Sequence, residues 1–302
     1  MLKKYLPFLA LALVSFIWGT TWVVVKMGVL TGIHPLYLAG LRLSIAGFCY
    51  LLFFFAAGKA VWPGKKDWTG ILFMSALLFI FSNGFATWGT RYISSGLAAI
   101  IAALFPLFVA IIQMFGPGGK RPGNISLAGL LIGFAGVIII FYEQLIHAGN
   151  RNFLTGILLS LTAATSWAFA VIFTTKASVK LNRYYLLGWQ MFLGGLFLVL
   201  VSGITGNALS LTSIPAKTWL LLVYLVLPGS IIAFIAFIYA LQHLPTALVS
   251  IYAYINPMVA LFFGHVLLNE QWNFSLLTGS VVTLVGVYMV NEGVRKRNNG
   301  NS

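Results

Sequence analysis

Apolar residues fill this chain in long, nearly unbroken runs, separated by short polar stretches that carry most of the charge. A soluble helix or strand would show a polar face at a period of 3.6 or 2, and these runs show neither. A helix crossing the hydrocarbon core of a bilayer needs about 20 mostly apolar residues. Runs of about that length at 6–25, 35–56, 69–90, 93–115, 125–142, 153–175, 184–203, 218–241, 246–268 and 275–292 predict ten transmembrane spans. The expected fold class is an all-α integral membrane protein.

The two runs with a central proline are also copies of each other. SGLAAIIAALFPLFVAIIQ begins at Ser95 and TALVSIYAYINPMVALFFG at Thr246, and a shift of 151 residues superposes Leu97 on Leu248, Ala102 on Ala253 and Pro106 on Pro257. Closely similar shifts bring Trp18 onto Trp167, Gly40 and Gly47 onto Gly188 and Gly195, Trp68 onto Trp219, and Gly129 and Gly136 onto Gly279 and Gly286. The chain therefore reads as two copies of one unit, 1–150 and 151–302, each with five spans. An odd number of spans per copy starts the second copy on the opposite side of the membrane, so the expected architecture is two inverted five-helix repeats. Such repeats mark secondary transporters, with a site near the midplane between the halves. Proline within a span removes a backbone donor and opens a kink, which lipid tolerates only where neighbours satisfy the freed carbonyl. Pro106 and Pro257 are accordingly structural or gating candidates.

Composition supports the membrane reading. Of 302 residues 60% are hydrophobic and 7% charged, and the mean hydropathy is +0.98. So few charges cannot cover a soluble surface. The first run is too long for a signal peptide, carries Trp18 and Trp22 and lacks a small-residue cleavage site.

A net charge of +14 could point to nucleic acid, but the basic residues sit in short loops on one side. Thirteen Lys and Arg fall on the side of the termini and four on the other, with Arg42 inside a span. The positive-inside rule then predicts both termini in the cytoplasm and a cell-membrane location, with lipid bilayer and small-molecule substrate as partners and no nucleic acid. Cys49 is the only cysteine, so no intrachain disulfide forms.

FIWGTTWVVVKMG in span one, AGLRLSIAG in span two, SNG in span three, SSGLAAIIAALFPLF in span four, SWAFAVIFTTK in span six and YAYINPMVALFFGHVLLNE in span nine together resemble the EamA family of the drug/metabolite transporter superfamily. The resemblance covers nearly the whole chain, in both repeats. It implies ten helices in two inverted repeats around a cavity lined by spans one, three, four, six, eight and nine, and export of amino acids or other small metabolites. Glu270 matches a glutamate that members often carry in each half, whereas the first half reads GPGGKRPGN at that place and has none. Arg42 matches the family's second-span arginine, and its repeat partner is Gln190.

Candidate substrate contacts follow from depth and helical spacing. Trp18 and Trp167 lie mid-span at equivalent repeat positions, too deep to be interfacial anchors, and Trp22 is one turn further on from Trp18. Tyr252 and Asn256 are one turn apart beside Pro257 and form the best polar pair. Asn83, Trp88 and Tyr239 occupy spans three and eight; an intramembrane amide such as Asn83 or Asn256 serves as interhelical glue or as a ligand. Arg42 is expected to make a structural bond to backbone carbonyls, because span two lies outside the cavity in the family fold. Glu270 joins Arg42 and the two prolines as a structural or gating candidate. Lys26 and Lys176, closing spans one and six, are expected to snorkel. The row Gly129, Gly133 and Gly136 serves close packing within the chain or a homodimer through helix five or ten.

The remaining classes fare poorly. No acid lies mid-span to carry a proton, and His265 is the one histidine within a predicted span. No nucleophile with its base, no metal-ligand cluster and no phosphate-cradling glycine loop stands out, so neither an enzyme nor any cofactor is expected. A channel or structural membrane protein, a drug efflux carrier and an exchanger of phosphorylated metabolites or nucleotide sugars remain as alternatives; the last calls for several basic residues in the cavity.

Overall fold

A segment in lipid has to satisfy its own backbone hydrogen bonds, and a helix does so residue by residue. In the computed structural model, which describes residues 2–115, 123–148, 151–176, 181–244, 246–249 and 251–300, all the long elements are helical. Eight helices are long and apolar enough to cross a membrane: Tyr5–Leu30, Pro35–Ala56, Lys65–Gly89, Ser95–Phe115, Arg151–Thr174, Arg183–Ile204, Ala216–His243 and Phe274–Lys296. The shorter apolar helices Asn124–Ile140 and Tyr252–Leu268 stand where spans five and nine were expected. We number the ten in chain order as spans one to ten.

Four spans depart from regular α-helix. Span three passes through a π-helical stretch at Ala76–Gly84 and span eight through another at Leu227–Ile232. The two stretches begin at positions related by the same 151-residue shift. Span four breaks at residues 103–104, between Ser95–Ala102 and Phe105–Phe115, so its interruption comes just ahead of Pro106. Span nine was expected to kink at Pro257. Instead Pro257 sits within the helix Tyr252–Leu268, and the interruption falls nearly two turns earlier, after the short helix Thr246–Val249.

Two helix pairs cross with their backbones nearly touching, and glycine makes this possible. Spans two and seven meet where a Cβ on Gly40 would lie 3.0 Å from the Gly195 carbonyl oxygen and one on Gly47 would lie 2.8 Å from that of Gly188. The repeat shift exchanges one contact for the other. Spans five and ten repeat the arrangement, with a Cβ on Gly136 falling 2.7 Å from the Gly279 oxygen and one on Gly129 falling 2.7 Å from the Gly286 oxygen. Gly133 also lies against span ten and Leu107. The glycine row of span five is thus occupied within the chain. Between helices in lipid this close van der Waals contact replaces the hydrophobic driving force.

Candidate functional site

Spans one, three, four, six and nine converge on a central cavity of about 140 Å³. Its wall includes Trp18, Thr21, Trp22 and Val25 of span one, Ser82, Asn83 and Thr87 of span three, Ser160 and Trp167 of span six, and Tyr252 and Asn256 of span nine. Span four contributes Ala98, Ala99, Ala102, Ala103 and Phe105, and span eight contributes Phe234. Alanines leave the volume open, and the aromatic rings shape it.

Trp18 is the hub of the aromatic side. Its ring centroid lies 5.1 Å from Phe234, 5.0 Å from Phe237, 5.3 Å from Tyr252 and 6.4 Å from Trp167, the last pair nearly perpendicular at 88°. Tyr252 in turn stacks on Phe105 at 6.3 Å with ring planes 13° apart. Each such pair contributes about 0.5–1.5 kcal/mol beyond its buried area. Trp18, Phe105 and Phe237 pack onto a buried cluster containing Leu11, Val14, Ala240, Val249 and Tyr252. The cavity is therefore closed toward the end of span one that holds Leu11, and extends from Trp18 toward Val25.

The polar groups are already partly engaged. The amide nitrogen of Asn83 donates to the Leu78 carbonyl at 2.8 Å, satisfying an acceptor of the π-helical stretch. With its amide nitrogen turned toward them, Asn256 donates to the carbonyls of Ser15 at 2.7 Å and Tyr252 at 3.1 Å, joining span nine to span one. Tyr252 and Asn256 are each 8% exposed. Both amides are thus glue within the helices while also lining the cavity.

Trp88 and Tyr239 are not on the wall. Trp88 faces His34 and Phe85, at 5.9 and 6.3 Å, and Tyr239 lies on the ring of His243 at 4.1 Å. Arg42 departs from expectation in the other direction. Span two reaches the cavity through this residue, which is 6% exposed and lines the wall. The expected bond to a carbonyl is present as well: Nη2 donates to Gly229 O at 3.2 Å, and Nε donates to Ser230 Oγ at 2.9 Å. Phe234 was also missed, although the repeat shift places it opposite Asn83; Phe105, next to Pro106, was a second unused signal.

The far end is held by two contacts. Lys26 lies inside the first helix, Leu2–Leu30, rather than at its end, and its ammonium donates to the carbonyls of Thr90 at 2.5 Å and Ile93 at 2.9 Å. The side chain of Lys176 lies outside the described residues. Glu270 accepts from the Ser95 N–H at 2.7 Å, the Ser95 hydroxyl at 2.8 Å and the Gly96 N–H at 3.4 Å. A carboxylate there offsets the partial positive charge and satisfies orphan donors at the start of span four. Pro106 and Pro257 are both buried, and His265 is exposed, bonded to the Glu270 carbonyl at 3.0 Å. No group of three or more His, Cys, Asp or Glu capable of holding a metal occurs among the described residues.

Long apolar helices around a cavity of mixed aromatic, small and amide groups define a multi-pass membrane protein with an internal pocket. The comparisons with known proteins give the family: the EamA-like transporter family model matches residues 6–142 and 154–292, and the chain belongs to that family. It is similar to the uncharacterized transporter YoaV of Bacillus subtilis, at 28% identity over 91% of this chain and 93% of that protein. The uncharacterized inner membrane transporter YedA of Escherichia coli K12 is 32% identical over 87% of this chain and 83% of its own. One crystal structure shares the fold at a TM-score of 0.64 and 17% identity, covering 94% of this chain and 95% of that one. The protein is a membrane transporter and not an enzyme.

Proposed function

We propose that the protein is a secondary transporter that exports small metabolites, amino acids or related neutral or zwitterionic compounds, by alternating access at the central cavity. The observation that carries this reading is the cavity itself, sealed by the Trp18 cluster at one end and walled by five spans plus single residues of spans two and eight. Its aromatic and alanine lining suits a small partly apolar body, and its few polar groups suit recognition of one or two polar ends.

The reciprocal glycine crossings of spans two with seven and five with ten are what two inverted repeats related by a two-fold axis in the membrane plane would produce. Rocking one repeat against the other would expose the cavity to each side of the membrane in turn. The asymmetry of basic residues supports an orientation with both termini on the cytoplasmic side of the cell membrane. An exchanger of phosphorylated metabolites fits less well, because among the described residues Arg42 is the one charged group on the wall.

The test is uptake of a labelled amino-acid panel into proteoliposomes, with and without an imposed proton gradient. Saturable uptake of one class supports the reading and reports on proton coupling. Absence of uptake across the panel by folded protein would remove amino acids as the substrate class.

A further inference from the structure

Arg42 presents an energetic problem that its two hydrogen bonds do not solve. A guanidinium stays charged in proteins, and a charge out of water is costly unless an opposite charge accompanies it. The one ion pair among the described residues joins Arg295 to Glu292, far along the chain in span ten. Arg42 has only the hydroxyl of Ser230 and the carbonyl of Gly229. Those bonds use the Nε and Nη2 side of the fork and leave Nη1 and the end-on edge uncommitted. Ser230 donates its own proton to Leu225 O at 2.9 Å, which turns an oxygen lone pair toward Arg42. Both acceptors belong to the π-helical stretch of span eight, a type of irregularity frequent at functional sites.

The fold does not require this charge. Under the repeat shifts Arg42 corresponds to Gln190 and Ser230 to Phe79. The equivalent crossing, of span three with span seven, therefore holds the fully buried Phe79 and the amide of Gln190, with no ion. A cation present in one copy only, and facing the cavity, is explained by what enters the cavity.

We propose that Arg42 supplies the counter-charge for a single carboxylate on the substrate, whose apolar or aromatic body lies against Trp18, Trp22 and Trp167. This rests on the transporter reading and adds its recognition chemistry. One guanidinium offers its free edge to a carboxylate in the bidentate manner. A phosphate dianion would need further cations, and the wall supplies none among the described residues. No carboxylate lines the wall either, so an amino group on the ligand would meet the amide oxygens of Asn83 and Asn256, whose nitrogens are already engaged, or the indole faces. The carboxylate is then the end on which selection depends.

The experiment measures binding of four probes to the purified full-length chain by ligand-induced thermal stabilisation: phenylacetate, phenylalanine, phenylalaninamide and phenethylamine. At least one acid should bind about tenfold or more tightly than the amide and the amine, the scale expected from losing one partner of a buried charge pair. Arg42→Gln should erase that preference and Arg42→Lys should retain part of it. Equal binding of acids and amide, a preference that survives Arg42→Gln, or no binding of either acid would each overturn the proposal. If Arg42→Gln fails to fold, the wild-type comparison of acid with amide still decides. Uptake of the amide and amine into proteoliposomes as fast as the acids would leave the transporter reading standing and overturn this one. Acid-selective, Arg42-dependent binding without any uptake would do the reverse.

Discussion

Glu270, just beyond span nine, accepts the backbone N–H of Ser95 at the start of span four, 2.7 Å away and in the other half of the chain. The left-handed cap residue Asn269 (φ 52°) turns the chain so that the carboxylate reaches back, and Gly264 leaves room: a Cβ there would lie 2.7 Å from Ser95 Oγ. Glu270→Ala should cost about 1–2 kcal/mol, as the loss of a charged helix cap does, whereas Ser95→Ala should cost less because the backbone bond remains. Thermal unfolding in detergent checks both. Equal effects would remove the capping role of the carboxylate.

The glycine crossings make a second stability prediction. Gly47→Leu and Gly136→Leu should each destabilise by at least about 1–3 kcal/mol, because every nearby atom a side chain would meet is backbone or close-packed neighbour. Gly203, with no atom near its would-be Cβ, should tolerate alanine with little change. Melting temperatures of the three variants decide this.

Trp18 and Trp167 line the cavity and pack edge to face. Trp18→Ala and Trp167→Ala should each reduce transport severalfold at matched membrane abundance. Trp18 has the larger structural share, since removing a packed tryptophan costs about 3–5 kcal/mol. Transport unchanged in both variants would contradict the cavity assignment.

His34 lies between spans one and two, with its ring 5.9 Å from Trp88. Burial, and next the positive charge of Arg91, hold its pKa below the ordinary histidine value. The folded protein thus prefers the neutral ring, and the unfolded chain binds the proton more readily. The resulting stability is present above the unfolded pKa of about 6.5 and is lost as pH falls below it toward the folded value. Arg91→Gln should raise the His34 midpoint in an NMR titration; an unchanged midpoint would remove Arg91 as a cause.

Much of this was legible in the sequence. Ten helical segments follow from apolar run length, eight of them long enough to cross a membrane and two shorter. Trp18, Trp22, Trp167, Tyr252 and Asn256 were found by depth and one-turn spacing, and all line the cavity. Trp88 and Tyr239, named for their matching places in spans three and eight and not for a helical face, do not line it; each follows a π-helical stretch, whose wider turn changes the direction of later side chains. Arg42 was set aside because span two as a whole stands outside the cavity. A long side chain crosses that distance, and helix position alone does not report it. The kink expected at Pro257 is absent for a similarly local reason, since the freed carbonyl of a proline need not bend the helix when neighbours pack against it.

Solute counterflow tests the alternating-access carrier most directly. Proteoliposomes preloaded with an unlabelled substrate and diluted into labelled substrate should show a transient accumulation of label above equilibrium, because the cavity returns loaded from each side. Uptake that rises monotonically to equilibrium regardless of preloading would contradict the carrier and indicate a channel.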